Sequence, residues 1–542
     1  MKKIEIPFEK DRRGWYRFFE ILPGFLSYFM LLLPAILSLI NVTAALAFIL
    51  IYLLVYFIRT SVAGPIRSIA GFRTHKQHMK LNWPALLRDV QAGKVMAKHS
   101  PDWHSENLER RQDFAKQYQP DNLVHAIIIA TVNESREVLE PTIQCVLDSQ
   151  YDMEKVILVF AYEGRAGKPT EERVQELLKV YGPRFKHAMA VCHPANMPGE
   201  VIGKGGNVTY AGRELAAYVD KEGIDPANVI VTTLDADNRP DPRYLAALSY
   251  MYCVSPNPLR ASFQPLPMYT NNIWDAPTLM RVIATSSNLF YIVQTQRPHL
   301  QRNFSAHAQS LQSLLDMDFW SRRTVVEDGH HFWRSYFCYD GDYRVYPLFI
   351  PIYQDAVLAD GYLRTIKAQF VQLRRWTYGA SDVAYIANQI FMRKSPAPKW
   401  DSIGKMLRTL EGHVTWATGT TLVFFAAFVP PLIHPDAIGA QLLPNIVSNF
   451  QRVGILFLLA SVYISLVTLP PRPARYKRRH SVLMVVQWAF APVAAIGFGS
   501  LAAFNSQTRL MLRKYLSKFD VTEKAVRTES GHTISTNADP DN

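Results

Sequence analysis

Pairs of carboxylates occur at two places in this 542-residue chain, and each pair suits a different kind of chemistry. Asp235-Ala236-Asp237 directly follows an apolar run, so its two acids lie on one edge of a strand end, with Ala236 pointing away. Carboxylates in this arrangement suit Mg²⁺ or Mn²⁺, which take their remaining ligands from water and substrate phosphates. Glu327-Asp328 comes later in the chain and offers a carboxylate that can act as a general base.

Two further motifs carry groups suited to phosphates and sugars. Lys204 lies between two glycines and just before a predicted helix, where it can meet a phosphate or a carboxylate. Gln372, Arg375 and Trp376 share one face of a predicted helix through their i, i+3 and i+4 spacing. An amide for hydroxyls, a guanidinium for phosphate and an indole for stacking together predict a sugar-phosphate site. The alternative for this motif alone is a solvated or membrane-facing helix surface.

Alternating strands and helices must position these residues. Strands are predicted at 125–132, 156–161, 188–192 and 229–234, with helices at 135–150, 171–181 and 206–219 between and around them. This alternation predicts an α/β domain with a mostly parallel sheet, whose ligands bind beyond the carboxyl ends of the strands. The acids and amides at those ends are Asn133 and Glu134, Glu163, and Asp235 with Asp237.

Uncharged apolar blocks flank this domain. Residues 21–40 and 42–58 are each long enough to cross a membrane and predict a helical hairpin with Asn41 at its turn. Further blocks occupy 413–433, 453–470 and 481–505. The block at 481–505 contains Pro492 and two glycines. It is therefore expected to form either a single span or a re-entrant pair of helices, and the pair would return the tail to the side of the membrane on which the block begins.

The distribution of charge sets the expected orientation. Lys and Arg exceed Asp and Glu by 13, and the basic residues concentrate in the N-terminal arm, the 472–479 loop and the tail. Basic loops stay in the cytoplasm, so we expect the arm, the α/β domain and the tail to be cytoplasmic, close to anionic lipid. The sequence has no basic stripe interleaved with aromatic residues, so nucleic acid is not indicated as a partner. The four cysteines form no C-x-x-C pair, which argues against a zinc knuckle.

These observations predict the following organisation of the chain. The expected units are a cytoplasmic N-terminal arm (1–20), a transmembrane hairpin (21–58), interfacial or linker helices (59–120), a catalytic α/β domain (121–395), an interfacial helix (396–410), a C-terminal transmembrane region (411–506) and a cytoplasmic amphipathic segment with a disordered tail (507–542).

The order of the motifs resembles glycosyltransferase family 2, especially membrane-embedded processive synthases of the cellulose, chitin and hyaluronan type. The resemblance covers about Leu123 to Gly379, and Glu-Asp followed by Gln-x-x-Arg-Trp is its most specific part. Phe519, Val521, Thr522 and Lys524 are similar to the F-x-V-T-x-K gating loop of bacterial cellulose synthases.

The resemblance implies a GT-A fold, a nucleotide-sugar donor (most often a UDP-sugar) and a divalent metal. It assigns Asp328 as the catalytic base beside Glu327, Asp237 with Asp235 to the metal, and Trp376, Gln372 and His307 to the acceptor. Nucleotide-sugar binding falls to Asn133, Glu134, Glu163, Lys204, Asp235 and Arg375. Glu163 stands where the family usually has Asp, so its contact with the nucleotide is less secure.

The expected protein is therefore an inverting hexosyltransferase that extends a polysaccharide and is coupled to its export across a bacterial-type plasma membrane. A non-processive glycosyltransferase acting on a lipid or lipid-phosphate acceptor is the main alternative, because some such enzymes share these motifs. A transporter or membrane scaffold is the alternative from another class, disfavoured because the predicted spans contain no charge. The sequence does not indicate the donor sugar, the linkage or the oligomeric state.

Overall fold

The computed structural model describes residues 4–519, 525–527 and 533–535. An N-terminal helical section leads into the α/β domain. Asn41 separates the first two helices, as predicted, and its side chain accepts a hydrogen bond from the Ala44 N–H. The helices of this section are α1 (Gly14–Ile40), α2 (Val42–Phe57), α3 (Gly64–His78), α4 (Trp83–Ala92) and α5 (Asp102–Arg111).

One eight-stranded sheet forms the centre of the protein. Its spatial order is β3-β2-β1-β4-β7-β6-β8-β5, with parallel pairing except where β7 meets β4 and β6 and where β5 meets β8. The strands are β1 (Val124–Thr131), β2 (Val156–Glu163), β3 (His187–His193), β4 (Val229–Asp235), β5 (Arg239–Pro240), β6 (Ala261–Tyr269), β7 (Ala308–Ser310) and β8 (Arg344–Gln354).

Helices cover both faces of the sheet, and two hydrophobic clusters lie between them and the strands. Pro141 lies inside α6 without ending it. The helices of the domain are α6 (Arg136–Leu147), α7 (Lys168–Tyr181), α8 (Lys204–Lys221), α9 (Tyr244–Val254), α10 (Thr278–Thr295), α11 (Leu311–Asp316), α12 (Glu327–Cys338), α13 (Tyr362–Thr377) and α14 (Asp382–Ala387). The predicted α/β fold with a mostly parallel sheet is confirmed.

The C-terminal section is again helical. It contains α15 (Lys399–Phe425), α16 (Val429–Ile433), α17 (Ile438–Val467), α18 (Arg478–Val486), α19 (Ala491–Ala494) and α20 (Leu501–Met511), with a short β9 (Ala525–Arg527) and β10 (Thr533–Ser535) hairpin after them. Five helical stretches of the described chain are long and apolar enough to cross a membrane, namely Gly14–Ile40, Val42–His78, Lys399–Ile433, Ile438–Val467 and Arg478–Met511.

Both ends of the last stretch contact the α/β domain. Before it, Arg475 forms an ion pair with Asp275 at 2.7 Å. Towards its end, the Ser506 hydroxyl lies 2.9 Å from the Thr377 hydroxyl of α13. These two contacts join the C-terminal helices to the α/β domain. The re-entrant interpretation of 481–505 and the cytoplasmic position of the tail stay predictions.

Candidate active site

Lys204 lies at the centre of a buried cluster of charges. It is the first residue of α8, and its Nζ is 2.8 Å from Asp235 Oδ1 and 3.5 Å from Asp328 Oδ1. Burial by itself would lower the pKa of Lys204, but Asp235, Asp328 and Glu327 together raise it above its ordinary value. Lys204 is therefore held in its charged form between the two predicted carboxylate motifs.

A glycine beside Lys204 permits this close approach. A Cβ added at Gly205 would lie 2.3 Å from the Ser321 carbonyl oxygen and 3.3 Å from Glu327 Cβ. The start of α8 can pack against the segment that leads into α12 because position 205 carries no side chain. The glycine-rich motif thus brings Lys204 to the acids by backbone packing.

The Asp235 and Asp237 carboxylates are oriented by different partners at the end of β4. Asp235 Oδ2 accepts a hydrogen bond from the Ser305 hydroxyl at 2.8 Å, while Asp237 Oδ2 accepts one from the Asp355 N–H at 3.0 Å. Asp237 is buried, and a third of the Asp235 side chain is exposed.

These two acids fit a divalent cation by their chemistry, because hard cations prefer carboxylate oxygens. Among the described residues, no group of three or more His, Cys, Asp or Glu side chains could hold a metal ion on its own. A metal held by Asp237 and Asp235 would therefore need further oxygen ligands from the substrate or from water.

Glu327 and Asp328 begin α12 and differ in their surroundings. The Glu327 residue is 2% exposed, whereas the Asp328 side chain is 23% exposed. Burial and the adjacent Asp328 raise the pKa of Glu327 to about 8, against the opposing influence of Lys204 and Arg375. A protonated Glu327 beside a more accessible Asp328 leaves Asp328 as the better-placed proton acceptor.

Arg375 on α13 joins the same group of charges. Burial lowers its pKa, and Glu327, Asp235 and Asp328 oppose this effect, in that order. On the same helix the Trp376 ring lies 5.9 Å from the ring of Tyr269 on β6, centroid to centroid. The Gln372 amide oxygen accepts a hydrogen bond from Gln369 at 3.0 Å.

Asn133, Glu134 and Glu163 lie at the same edge of the sheet, at the ends of β1 and β2. The Glu134 carboxylate accepts hydrogen bonds of 2.8 Å from the Thr131 hydroxyl and the Val132 N–H, so it shapes its own loop. Glu163 forms an ion pair with Arg165. Asn207 connects α8 to β2, because its side-chain amide donates a hydrogen bond to the Ala161 carbonyl at 2.9 Å.

His307 lies beneath the site. It is 1% exposed; its Nδ1–H donates to the Phe304 carbonyl at 3.0 Å, and its Nε2 accepts from the Trp320 indole at 3.3 Å. Burial lowers its pKa, which favours the neutral ring that this bonding pattern requires. Its contact with an acceptor stays a prediction.

The tail reaches the site through Phe519. The Phe519 N–H donates to the Ile202 carbonyl at 2.7 Å, and its ring lies 3.6 Å from the Arg375 guanidinium carbon. A Cβ added at Gly203 would be 2.5 Å from Phe519 Cβ. Val521, Thr522 and Lys524, the other residues of the predicted gating motif, lie outside the described residues.

Sequence reasoning missed several residues that shape this site. Ser305 lies two residues before the predicted acceptor residue His307, but its hydrogen bond to Asp235 depends on the fold. Asp355 directly follows β8, so the rule that ligands bind at strand ends could have indicated it. Glu5 is remote in sequence, yet its carboxylate accepts from Arg334 of α12 at 2.8 Å and from Ser321 at 2.6 Å.

Neither a protein-family model nor a curated protein matches the chain. Similar solved structures include a mannosyltransferase from Pyrobaculum calidifontis in complex with GDP-Man and Mn²⁺, with 13% identity and a TM-score of 0.40 over 85% of this chain and 100% of that one. S. aureus TarS residues 1–349 in complex with UDP-GlcNAc is 9% identical, with a TM-score of 0.35 over 75% of this chain and 95% of that one. GalNAc-T7 with UDP, GalNAc and Mn²⁺ is 11% identical, with a TM-score of 0.30 over 54% of this chain and 57% of that one. Similarity at this level identifies no family for the chain.

Proposed function

We propose that this protein is an inverting membrane glycosyltransferase that uses a nucleotide-sugar donor, with a UDP-sugar as the expected class. The observation that supports this best is the convergence of Lys204 and Arg375 on Asp235, Glu327 and Asp328. Two cations beside three acids, at the carboxyl ends of parallel strands, form a site suited to a diphosphate and a proton acceptor. The motif order Asp-x-Asp, Glu-Asp and Gln-x-x-Arg-Trp supports the same proposal.

In this proposal Asp328 takes the proton from an acceptor hydroxyl. The resulting oxygen attacks the anomeric carbon from the side opposite the nucleotide, a new glycosidic bond forms, and the bond from that carbon to the diphosphate breaks. The diphosphate leaves with the bonding electron pair. Arg375 and Lys204 stabilise the charge that develops on it, and because both are fixed before the reaction, little reorganisation is needed.

A divalent cation, held by Asp237 with Asp235, would supply further stabilisation of charge on the leaving diphosphate. Glu327 keeps a proton at neutral pH and thereby avoids a second negative charge beside Asp328. Trp376 offers an aromatic face for the acceptor sugar next to Tyr269, and Gln372 lies on the same helix face.

We further propose that the product is a polysaccharide that is exported as it grows, with the catalytic domain in the cytoplasm. The gating-loop-like motif and the position of Phe519 beside Arg375 support this finer assignment. Transfer of a single sugar to a lipid or lipid-phosphate acceptor is the competing possibility for the same site.

Incubation of isolated membranes with a panel of radiolabelled nucleotide sugars tests the proposal. One donor should give labelled product in a reaction that requires Mg²⁺ or Mn²⁺, and gel separation should show a ladder that glycosidases digest. A single labelled lipid species would replace processive synthesis with single transfer. Label that enters no product with any donor would contradict glycosyltransferase activity.

A further inference from the structure

Five arginines, none of them among the candidate active-site residues, gather at the boundary between apolar helices and the α/β domain. Three come from the N- and C-terminal helical sections and two from the segment after α10. We call this group the arginine cluster; its members are Arg59, Arg67, Arg297, Arg302 and Arg408.

Contacts with one turn of α15 bring part of the cluster together. The Arg59 guanidinium binds both oxygens of the Glu411 carboxylate, with Nη2 3.3 Å from Oε2. Arg408 lies one turn before Glu411 on the same helix. Arg302 donates from Nη2 to the Thr409 hydroxyl at 2.8 Å.

The packing of α3 on α10 adds the remaining members. Gly71 of α3 lies so close to α10 that an added Cβ would be 2.6 Å from the Ile292 carbonyl oxygen and 3.2 Å from the Thr295 hydroxyl. Arg67 lies one turn before Gly71, and Arg297 follows Thr295 by two residues. Four separate segments of the chain thus direct guanidinium groups to one region.

The positive charge of this region exceeds the charge that offsets it. The Glu411 carboxylate is engaged by Arg59, and Asp382, which also lies near Arg302, is engaged by His330 at 2.7 Å. Asp401, which lies near Arg408, is paired with Lys405. Within the described part of the chain, the side chains of Arg67, Arg297 and Arg408 make no hydrogen bond or ion pair. Burial and then the neighbouring Arg67, Arg408 and Arg59 lower the pKa of Arg297, as expected where like charges repel one another.

The surroundings of the cluster point to a lipid rather than a soluble anion. Ile66 is 62% exposed beside Arg67, and Leu407 is 53% exposed beside Arg408. Arg59 immediately follows the apolar α2 and an exposed Ile58. Apolar side chains next to unneutralised guanidinium groups match the level of a membrane where acyl chains meet phosphates.

We propose that the arginine cluster binds the phosphate of an anionic phospholipid headgroup, with Arg67, Arg297 and Arg408 as the principal ligands. Arg59 and Arg302 hold the site together through Glu411 and Thr409. The acyl chains would lie along α3 and α15. This binding is separate from sugar transfer and can be measured without any donor.

The test is native mass spectrometry of the full chain in an uncharged detergent, with phosphatidylglycerol and phosphatidylcholine of identical acyl chains. The site variant is R297Q/R408Q. The matched control is R478Q/R479Q, which removes the same charge from two exposed arginines at the start of α18.

The wild-type protein should prefer phosphatidylglycerol. R297Q/R408Q should bind it about thirtyfold more weakly, which corresponds to about 1 kcal/mol for each arginine removed. The control should change by less than about threefold, and R297K/R408K should keep much of the preference because it keeps the charge. If R297Q/R408Q does not fold, the exposed Arg408→Gln alone should weaken binding about fivefold.

Three results would overturn the proposal. One is equal binding of the two lipids by the wild-type protein, and another is an equal loss in R478Q/R479Q, which would indicate non-specific attraction. The third is displacement of the lipid by glycerol 3-phosphate alone, which would indicate a site for a soluble phosphate.

Discussion

Replacing Glu327 by Gln should make the stability of the protein less dependent on pH. Burial and Asp328 raise the pKa of Glu327 from its ordinary value of 4.5 to about 8. A raised pKa means that the folded protein holds this proton more tightly than the unfolded chain. The stabilising contribution is therefore complete below pH 4.5 and is lost as the pH rises to about 8. Gln carries no such proton, so E327Q lacks this loss.

The size of the effect follows from the pKa change. At about 1.4 kcal/mol per pH unit, the shift corresponds to at most about 5 kcal/mol between pH 4.5 and 8. In thermal unfolding followed by tryptophan fluorescence in detergent, E327Q and the wild-type protein should have similar transition temperatures at pH 5. At pH 8 the variant should unfold on the order of 5–10 °C higher. Every scan should use one heating rate, since unfolding of a large protein can be irreversible.

Glu140→Gln is the matched control. Hydrogen bonds from Arg136 and Tyr181 lower the pKa of Glu140 to about 2, so its contribution changes below pH 4.5 and is constant from pH 5 to 8. A gap between E327Q and wild type that stays constant from pH 5 to 8 would refute the reasoning about Glu327. So would an equal widening in E140Q.

Three further predictions concern the tail, the N-terminal arm and the metal. Gly203→Ala should displace Phe519, because the new Cβ would lie 2.5 Å from Phe519 Cβ, and it should therefore raise deuterium uptake around Phe519. The control Gly404→Ala, where no atom lies within 4 Å of the new Cβ, should leave that uptake unchanged. Glu5→Ala should lower kcat at least about tenfold with little change in the KM for the donor. The reason is that Glu5 holds α12 and the Ser321 segment in place but is not one of the predicted donor ligands. An effect confined to KM would argue against a positioning role. Asp237→Ala should remove the response of activity to Mn²⁺, and an unchanged metal titration would exclude Asp237 as a ligand.

The first half of the sheet could be predicted because its signals are local. Short apolar runs alternate with helical periodicity, so β1, β2, β3 and β4 were located to within one or two residues. The residues at their carboxyl ends were then candidates by topology alone. Lys204, Asp235 and Asp328 lie together in the structure with Arg375 nearby, and their roles stay predictions.

The second half could not be predicted in the same way. Residues 263–267 form part of β6, whose pairing with β8 joins residues about 80 positions apart in sequence. Such pairing depends on long-range packing that no local pattern encodes. The same holds for Glu5, which reaches α12 across more than 300 residues, and for Phe519, which returns to the segment before α8.

Parallel assays of sugar transfer and donor binding on Asp328→Asn test the central proposal most directly. The change removes the proton acceptor but keeps the size of the side chain beside Lys204. With the active donor, transfer should fall by at least about a thousandfold, while the dissociation constant of the donor, measured by calorimetry on the purified protein, should change by less than about threefold. Full transfer activity in Asp328→Asn would contradict the assignment of Asp328 as the base and, with it, the proposed mechanism.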